Sequence, residues 1–294
     1  MSNSFKSVKA LLPPPAPHLV GDGFRVHNFF PSYDIIGEQG MDPFFLLDYN
    51  SPWTLPPSDH LRGVGVHPHR GFETVTIAYH GSLAHHDSAG NSGVIHEGDV
   101  QWMTAGSGVL HKEYHEKEFS KKGGIFQVVQ LWVNLPQKFK MTHPRYQPIE
   151  RKNMGQAALD DGSSVIEVIS GEYNGVRGPA LTYSPVYLYN ARLTKGANAF
   201  LSFDRNYNTG LLVIEGEVEI NGSVNAPHDN FAFFDHNGET IALKAILDSV
   251  VLVMSGEPIR EPIASRGPFV MNTGEEIKQA YNDYFSGKFG HLED

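Results

Sequence analysis

His67-Pro68-His69 and His111-Lys112-Glu113 are two i, i+2 pairs of coordinating side chains in the first half of the chain. On a strand, residues two apart project to the same face. If the two pairs occupy neighbouring strands, three neutral imidazoles and one carboxylate converge on a point. A divalent cation accepts such a donor set and keeps one or two positions open for water or substrate. One His-x-His alone is a weak signal, because histidines in loops are commonly just solvated. A second pair at a compatible distance makes the set a candidate site. On spacing alone, the reading of four solvated side chains stays open.

Short strands have to position these residues. The chain has 30 Gly and 19 Pro, and its apolar segments recur at roughly 8–12 residue intervals between turn residues, the pattern of a sandwich or barrel. Strands are predicted at Glu73–Tyr79, Val94–His96, Val100–Met103, Ile125–Val133, Tyr187–Ala191, Leu211–Ile220, Phe231–Phe234 and Ser249–Met254. Ile125–Val133 is apolar apart from its glutamines and is expected to be buried on both faces. Pro68 suits an edge strand or a strand start, where its missing N–H is tolerated. One helix is expected near the C-terminus. Thr273 and Glu276 read as a capping box, with Ile277, Ala280, Tyr281 and Tyr284 following on one face. Tyr79–Met103 is echoed faintly by Ile214–Phe234, which points to a duplicated barrel with a junction near residues 150–163. Eleven of the fifteen histidines fall in residues 1–115, so only one copy would hold the chemistry.

Composition closes off other classes. The 294 residues amount to about two average domains. A hydrophobic content of 40% is too high for intrinsic disorder. No apolar run approaches the ~18 residues of a membrane span, and no secretory leader is read ahead of Pro13–Pro15. The absence of Cys excludes disulfides and thiolate ligands or nucleophiles. A net charge of −10 disfavours direct nucleic-acid binding. The expectation is a cytoplasmic monomer with no direct nucleic-acid and no membrane partner.

Four segments together carry a family resemblance: HPHRGFETVT (His67–Thr76), GDVQWMTAGSGVLHKEYHE (Gly98–Glu116), QLWVNLP (Gln130–Pro136) and GEPIREP through GPFVMNT (Gly256–Thr273). They closely resemble the pirin family of the cupin superfamily, over about Gly37 to Phe285. The resemblance implies an all-β bicupin of two antiparallel β-barrel (double-stranded β-helix) domains with a short C-terminal helix. Residues 1–145 would form the metal-binding N-terminal domain, and residues 146–294 a C-terminal domain without metal ligands. By motif position the ligands would be His67, His69, His111 and Glu113. The cofactor implied is one divalent metal ion, Fe(II) first, with Mn, Co, Ni or Zn accepted by the same donors. The chain departs from the general cupin pattern at Leu61, at Thr104 and in the four-residue spacing between Gly106 and His111, and in each case it resembles the pirin version. The general cupin carboxylate would fall on Glu73. The pirin pattern uses Glu113 instead, on the same face as His111. Glu73 would then orient a ligand imidazole or pair with Arg70.

Two functions follow from the resemblance. One is a quercetin 2,3-dioxygenase-like oxidoreductase that opens a flavonol-type or other enolisable small molecule with O2 and releases CO, with Glu113 as the catalytic proton acceptor. The alternative is a redox- or metal-sensing regulatory protein whose partner is a transcription factor or a metabolic enzyme. Both require the same four ligands. His85 and His86 are adjacent, so at most one faces the interior of a barrel. His80, His96 and His115 read as surface or hydrogen-bonded structural residues, and Phe72, Trp102, Phe126 and Trp132 as core.

Overall fold

The structure, a computed structural model, describes residues 4–293. Two compact units emerge, each assembled from three stretches of chain. One takes residues 16–28, 44–151 and 259–294; the other takes 1–15, 29–43 and 152–258. The single division at residue 145 read from sequence treats the halves as consecutive, whereas strand pairing exchanges the chain ends. Each seven-stranded sheet needs a strand on one flank. Arg145–Ile149 supplies it in the histidine-rich unit by pairing with Val100–Thr104. In the other unit the N-terminal Val8–Leu12 does so by pairing with Phe231–Phe234.

In the histidine-rich unit the large sheet runs Arg145–Ile149, Val100–Thr104, Phe72–His80, Gly124–Asn134, Phe44–Leu55, Phe24–Phe30, His18–Val20. The small sheet runs Gly63–His69, Val109–His115, Leu83–Asp87, Ser92–Ile95. Side chains of the two sheets meet in the interior, where Thr76, Gln101 and Gln130 of the large sheet reach Glu113 of the small one. The other unit repeats this plan. Its large sheet runs Val8–Leu12, Phe231–Phe234, Asn208–Glu215, Ser249–Gly256, Val186–Leu193, Val165–Ser170, Gly155–Ala158, and its small sheet Asn198–Ser202, Thr240–Ala245, Glu217–Ile220, Val224–Pro227. The echo between Tyr79–Met103 and Ile214–Phe234 falls on strands at matching sheet positions.

Two strand expectations change. Leu211–Ile220 is not continuous: Gly216 sits at φ +77°, and a Cβ there would lie 2.2 Å from the Asp248 carbonyl oxygen. The chain turns at this glycine and passes from the large sheet to the small one. Ile125 is 50% exposed, so its strand is buried on both faces only from Phe126 onward. The Gly274–Phe285 helix forms as read, with Thr273 and Glu276 closing a reciprocal capping box and Ile277 and Ala280 buried. A second helix, Lys117–Lys122, had no periodic signal; the Glu116 carboxylate caps it by accepting from the N–H groups of Glu118 and Phe119. Among the described residues no helix is long and apolar enough to cross a membrane.

Candidate metal centre

His67 and His69 close the Gly63–His69 strand, which lies at the edge of the small sheet and so tolerates Pro68 between them. Its neighbour places His111 directly opposite His67, and an irregularity follows before Glu113 pairs with Val64. On the other side of that strand, His85 stands opposite Glu113. Gly71 then turns the chain out of the ligand strand at φ +88°, where an added Cβ would lie 2.0 Å from the Val270 carbonyl oxygen.

The three imidazoles of His67, His69 and His111 form one group whose ligand atoms all lie within 4.8 Å of one another. Ring centroids are 4.8 Å apart for His67–His69, 4.3 Å for His67–His111 and 4.7 Å for His69–His111. Glu113 belongs to a second group that shares His111 and adds His85. Carbonyl oxygens fix two tautomers, because a carbonyl only accepts. His67 Nδ1 donates to Gly65 O at 2.8 Å and His69 Nδ1 to Pro268 O at 3.3 Å, which leaves each Nε2 with its lone pair. Packing edge-on against Phe72 and Trp132 sets the His69 ring plane.

Burial holds all three imidazoles neutral. Loss of solvation pushes His69 and His111 well below the usual histidine range, and repulsion from the neighbouring imidazoles adds to it. His67 is lowered by the same desolvation, partly opposed by Gly65 O and Glu113. His111 is fully buried, and among the described residues neither of its ring nitrogens has a hydrogen-bond partner. Leaving a buried polar group unpaired costs about 1–3 kcal/mol. A cation bound at the nitrogen that carries the lone pair would satisfy that half of the deficit, so the donor set fits a divalent metal.

Glu113 is held by three donors. Oε1 accepts from Thr76 Oγ1 at 3.1 Å and from Gln101 Nε2 at 3.0 Å, and Oε2 accepts from Gln130 Nε2 at 2.7 Å. A carboxylate offers about four lone-pair directions. One therefore stays free, on Oε2.

Neither role read for Glu73 is observed. Its carboxylate accepts from Thr104 Oγ1 at 2.6 Å, while Arg70 pairs with Asp283 at 2.9 Å. Of the adjacent histidines, His85 faces inward. It is fully buried beside Asp87, its ring stacks on Tyr146 at 4.9 Å, and its centroid is 5.4 Å from His111. Sequence reasoning gave it no role, and its cross-strand position opposite Glu113 was the missing datum. Trp132 was read as core but forms part of a cavity wall. That cavity, about 310 Å³, is lined by His67, His69, Thr76, Glu113 and Gln130 at its polar end and by Val20, Phe24, Val26, Val64, Val128 and Trp132 elsewhere. Asp48 also lines it.

Comparison with known proteins agrees with this architecture. The Pirin family model matches residues 23–133, and the model of the Pirin C-terminal cupin domain matches residues 188–290. A Pseudomonas aeruginosa protein that bears the provisional name of a quercetin 2,3-dioxygenase is 45% identical over 272 residues, covering 92% of this chain and 94% of its own. Human pirin is 35% identical over 261 residues, 86% of this chain and 84% of its own. A crystal structure of quercetin 2,3-dioxygenase from Acinetobacter baumannii is 46% identical, with a TM-score of 0.92, and covers 99% of this chain and 100% of that one.

Proposed function

The chain belongs to the pirin family, and from that premise we propose that it is a metal-dependent dioxygenase that opens flavonol-type substrates such as quercetin with O2 and releases CO. The observation that carries the reading is the group of neutral imidazoles, with both His111 nitrogens unpaired and with His67 and His69 lining a mostly apolar cavity beside a fixed carboxylate. His67 and His69 through Nε2, together with His111 and Glu113, would hold one divalent ion. Iron is the preferred occupant, and the same donors accept other first-row metals. When bound, the metal supplies Lewis acidity toward an enolate oxygen and redox chemistry toward dioxygen.

The chain's own residues do the rest. Val26, Val64, Val128 and Trp132 give the substrate rings an apolar bed and exclude water. Glu113 has one lone pair left on Oε2, and that lone pair takes either the metal or the proton of the flavonol 3-hydroxyl. Glu113 Oε2 would therefore serve in turn as a metal ligand and as the proton acceptor. Gln130, the donor to Oε2, keeps that atom in place through both.

The test is CO release from quercetin by Fe(II)-loaded protein in oxygenated buffer, with Glu113→Gln alongside and iron content measured in both. Wild-type protein should turn over catalytically, and the variant should be slower by about 100-fold or more. Fully iron-loaded wild-type protein that releases no CO would overturn the dioxygenase reading and leave a redox-sensing binding protein as the use of this site.

A further inference from the structure

We propose that Asp48 is a second substrate anchor in the cavity, accepting a hydrogen bond from a hydroxyl remote from the imidazole group and so selecting polyhydroxylated aromatic substrates. The proposal deepens the flavonol reading above and rests on it. Its basis is a row of polar side chains across the floor of the large sheet. Gln101 stands opposite Thr76, Thr76 opposite Gln130, and Gln130 opposite Asp48. Directly opposed residues share a face, so all four project into the interior of the unit. The first three spend a donor on Glu113. The fourth breaks the series, because it is an acceptor and lies one strand, roughly 5 Å, farther along.

Asn28 fixes Asp48 from the next strand, with Nδ2 donating to Oδ1 at 2.7 Å. Among the described residues the carboxyl has no second hydrogen bond, although it lines the cavity between apolar walls. Burial pushes its carboxyl up from the ordinary range, against the opposing effects of Asn28 and His18. Asp48 is half-buried, and its second oxygen is not among the buried atoms that lack a partner, so it faces the cavity as an acceptor that a ligand hydroxyl can take over from water. The complementary ligand carries one oxygen for the imidazole end and a hydroxyl donor one or two strand spacings away, the separation found between hydroxyls on neighbouring aromatic rings.

The competing role for Asp48 is a purely structural tie to Asn28 between adjacent strands, and ligand binding separates the two. Full-length protein is loaded with Fe(II) under anaerobic conditions, so that no turnover intervenes. Dissociation constants are then measured for quercetin and for 3-hydroxyflavone, which keeps the metal-directed oxygens and lacks the remote hydroxyls. Wild-type protein should prefer quercetin by at least about tenfold. Asp48→Leu should abolish that preference by weakening quercetin alone, with iron content and 3-hydroxyflavone affinity unchanged. Asp48→Asn, which can still accept from Asn28 but turns a donor toward the cavity, should narrow the preference without disturbing the fold. Equal weakening of both ligands in both variants, or an unchanged preference, overturns the role of Asp48 and leaves the flavonol reading standing. Wild-type protein that binds neither flavonol overturns the flavonol reading and this proposal together.

Discussion

Glu73 is a carboxyl in a place that disfavours its charge. It is 1% exposed, and burial pushes its pKa up to about 7, with the hydrogen bond from Thr104 working in the opposite direction. In the unfolded chain the group titrates near 4.5. Between these values the folded protein keeps a proton that the unfolded chain has released, so stability falls as pH rises across that window. The contribution is fully present below pH 4.5 and lost as pH passes through 7. At about 1.4 kcal/mol per pKa unit, the ionised carboxylate costs up to roughly 3 kcal/mol at pH 8. Glu73→Gln keeps an acceptor for Thr104 and removes the titration. The variant should be about 1–3 kcal/mol more stable than wild type at pH 8 and no more stable at pH 4.5, as read from urea unfolding at both values. An advantage that does not change with pH would show that Glu73 is not the titrating group. The sequence offered two partners for this residue, a ligand imidazole or Arg70, because both lie within reach along the chain. The choice fell to Thr104, thirty-one positions away, which no local spacing encodes.

Strand alternation is written into i, i+2 spacing, and it was enough to put His67 with His69 and His111 with Glu113. Register is not written there. The pairing of His111 with His67, the irregularity before Glu113 and the approach of His85 to Glu113 all depend on turns and on which strand lies beside which. The same limit hid Thr76, Gln101, Gln130 and Asp48. Each is an ordinary polar residue in an apolar strand, and only three aligned registers make them a row. Gly71 shows how closely an element end governs the site. Its φ of +88° disfavours any Cβ, and the Val270 carbonyl occupies the space one would need, two residues beyond His69. Gly90 has the same φ of +88° with nothing within 4 Å of the added atom. Gly90→Ala should therefore cost only about 1–2 kcal/mol for the backbone conformation. Gly71→Ala should cost distinctly more and lower iron occupancy as well, measured by denaturation and metal analysis on the two variants together. Equal costs and equal iron content would mean that the turn does not position His69.

The two units share one topology and differ in how each fills its interior. At the small-sheet positions that hold the imidazoles in one unit, the other buries Ala199, Leu201, Ile241 and Leu243 within a continuous apolar cluster. Among the described residues, both groups of side chains able to hold a metal lie in the histidine-rich unit. An apolar interior is stable by packing alone, whereas buried imidazoles with unpaired nitrogens leave a deficit that an ion can remove, which links metal binding to local stability. Free metal at 100 to 1,000 times its dissociation constant adds about 2.7–4.1 kcal/mol to whatever must open to release it. Chelation should therefore remove a single ion per chain and speed amide exchange by roughly 100-fold or more in Gly63–His69 and Val109–His115, with exchange in Asn198–Ser202 and Thr240–Ala245 unchanged. Mass spectrometry of the intact chain gives the stoichiometry, and peptide-resolved exchange gives the pattern. Two ions per chain would mean that the two groups sharing His111 do not act as one site, and uniform acceleration across all four strands would mean that the ion stabilises the chain as a whole and not the sheet that holds its ligands.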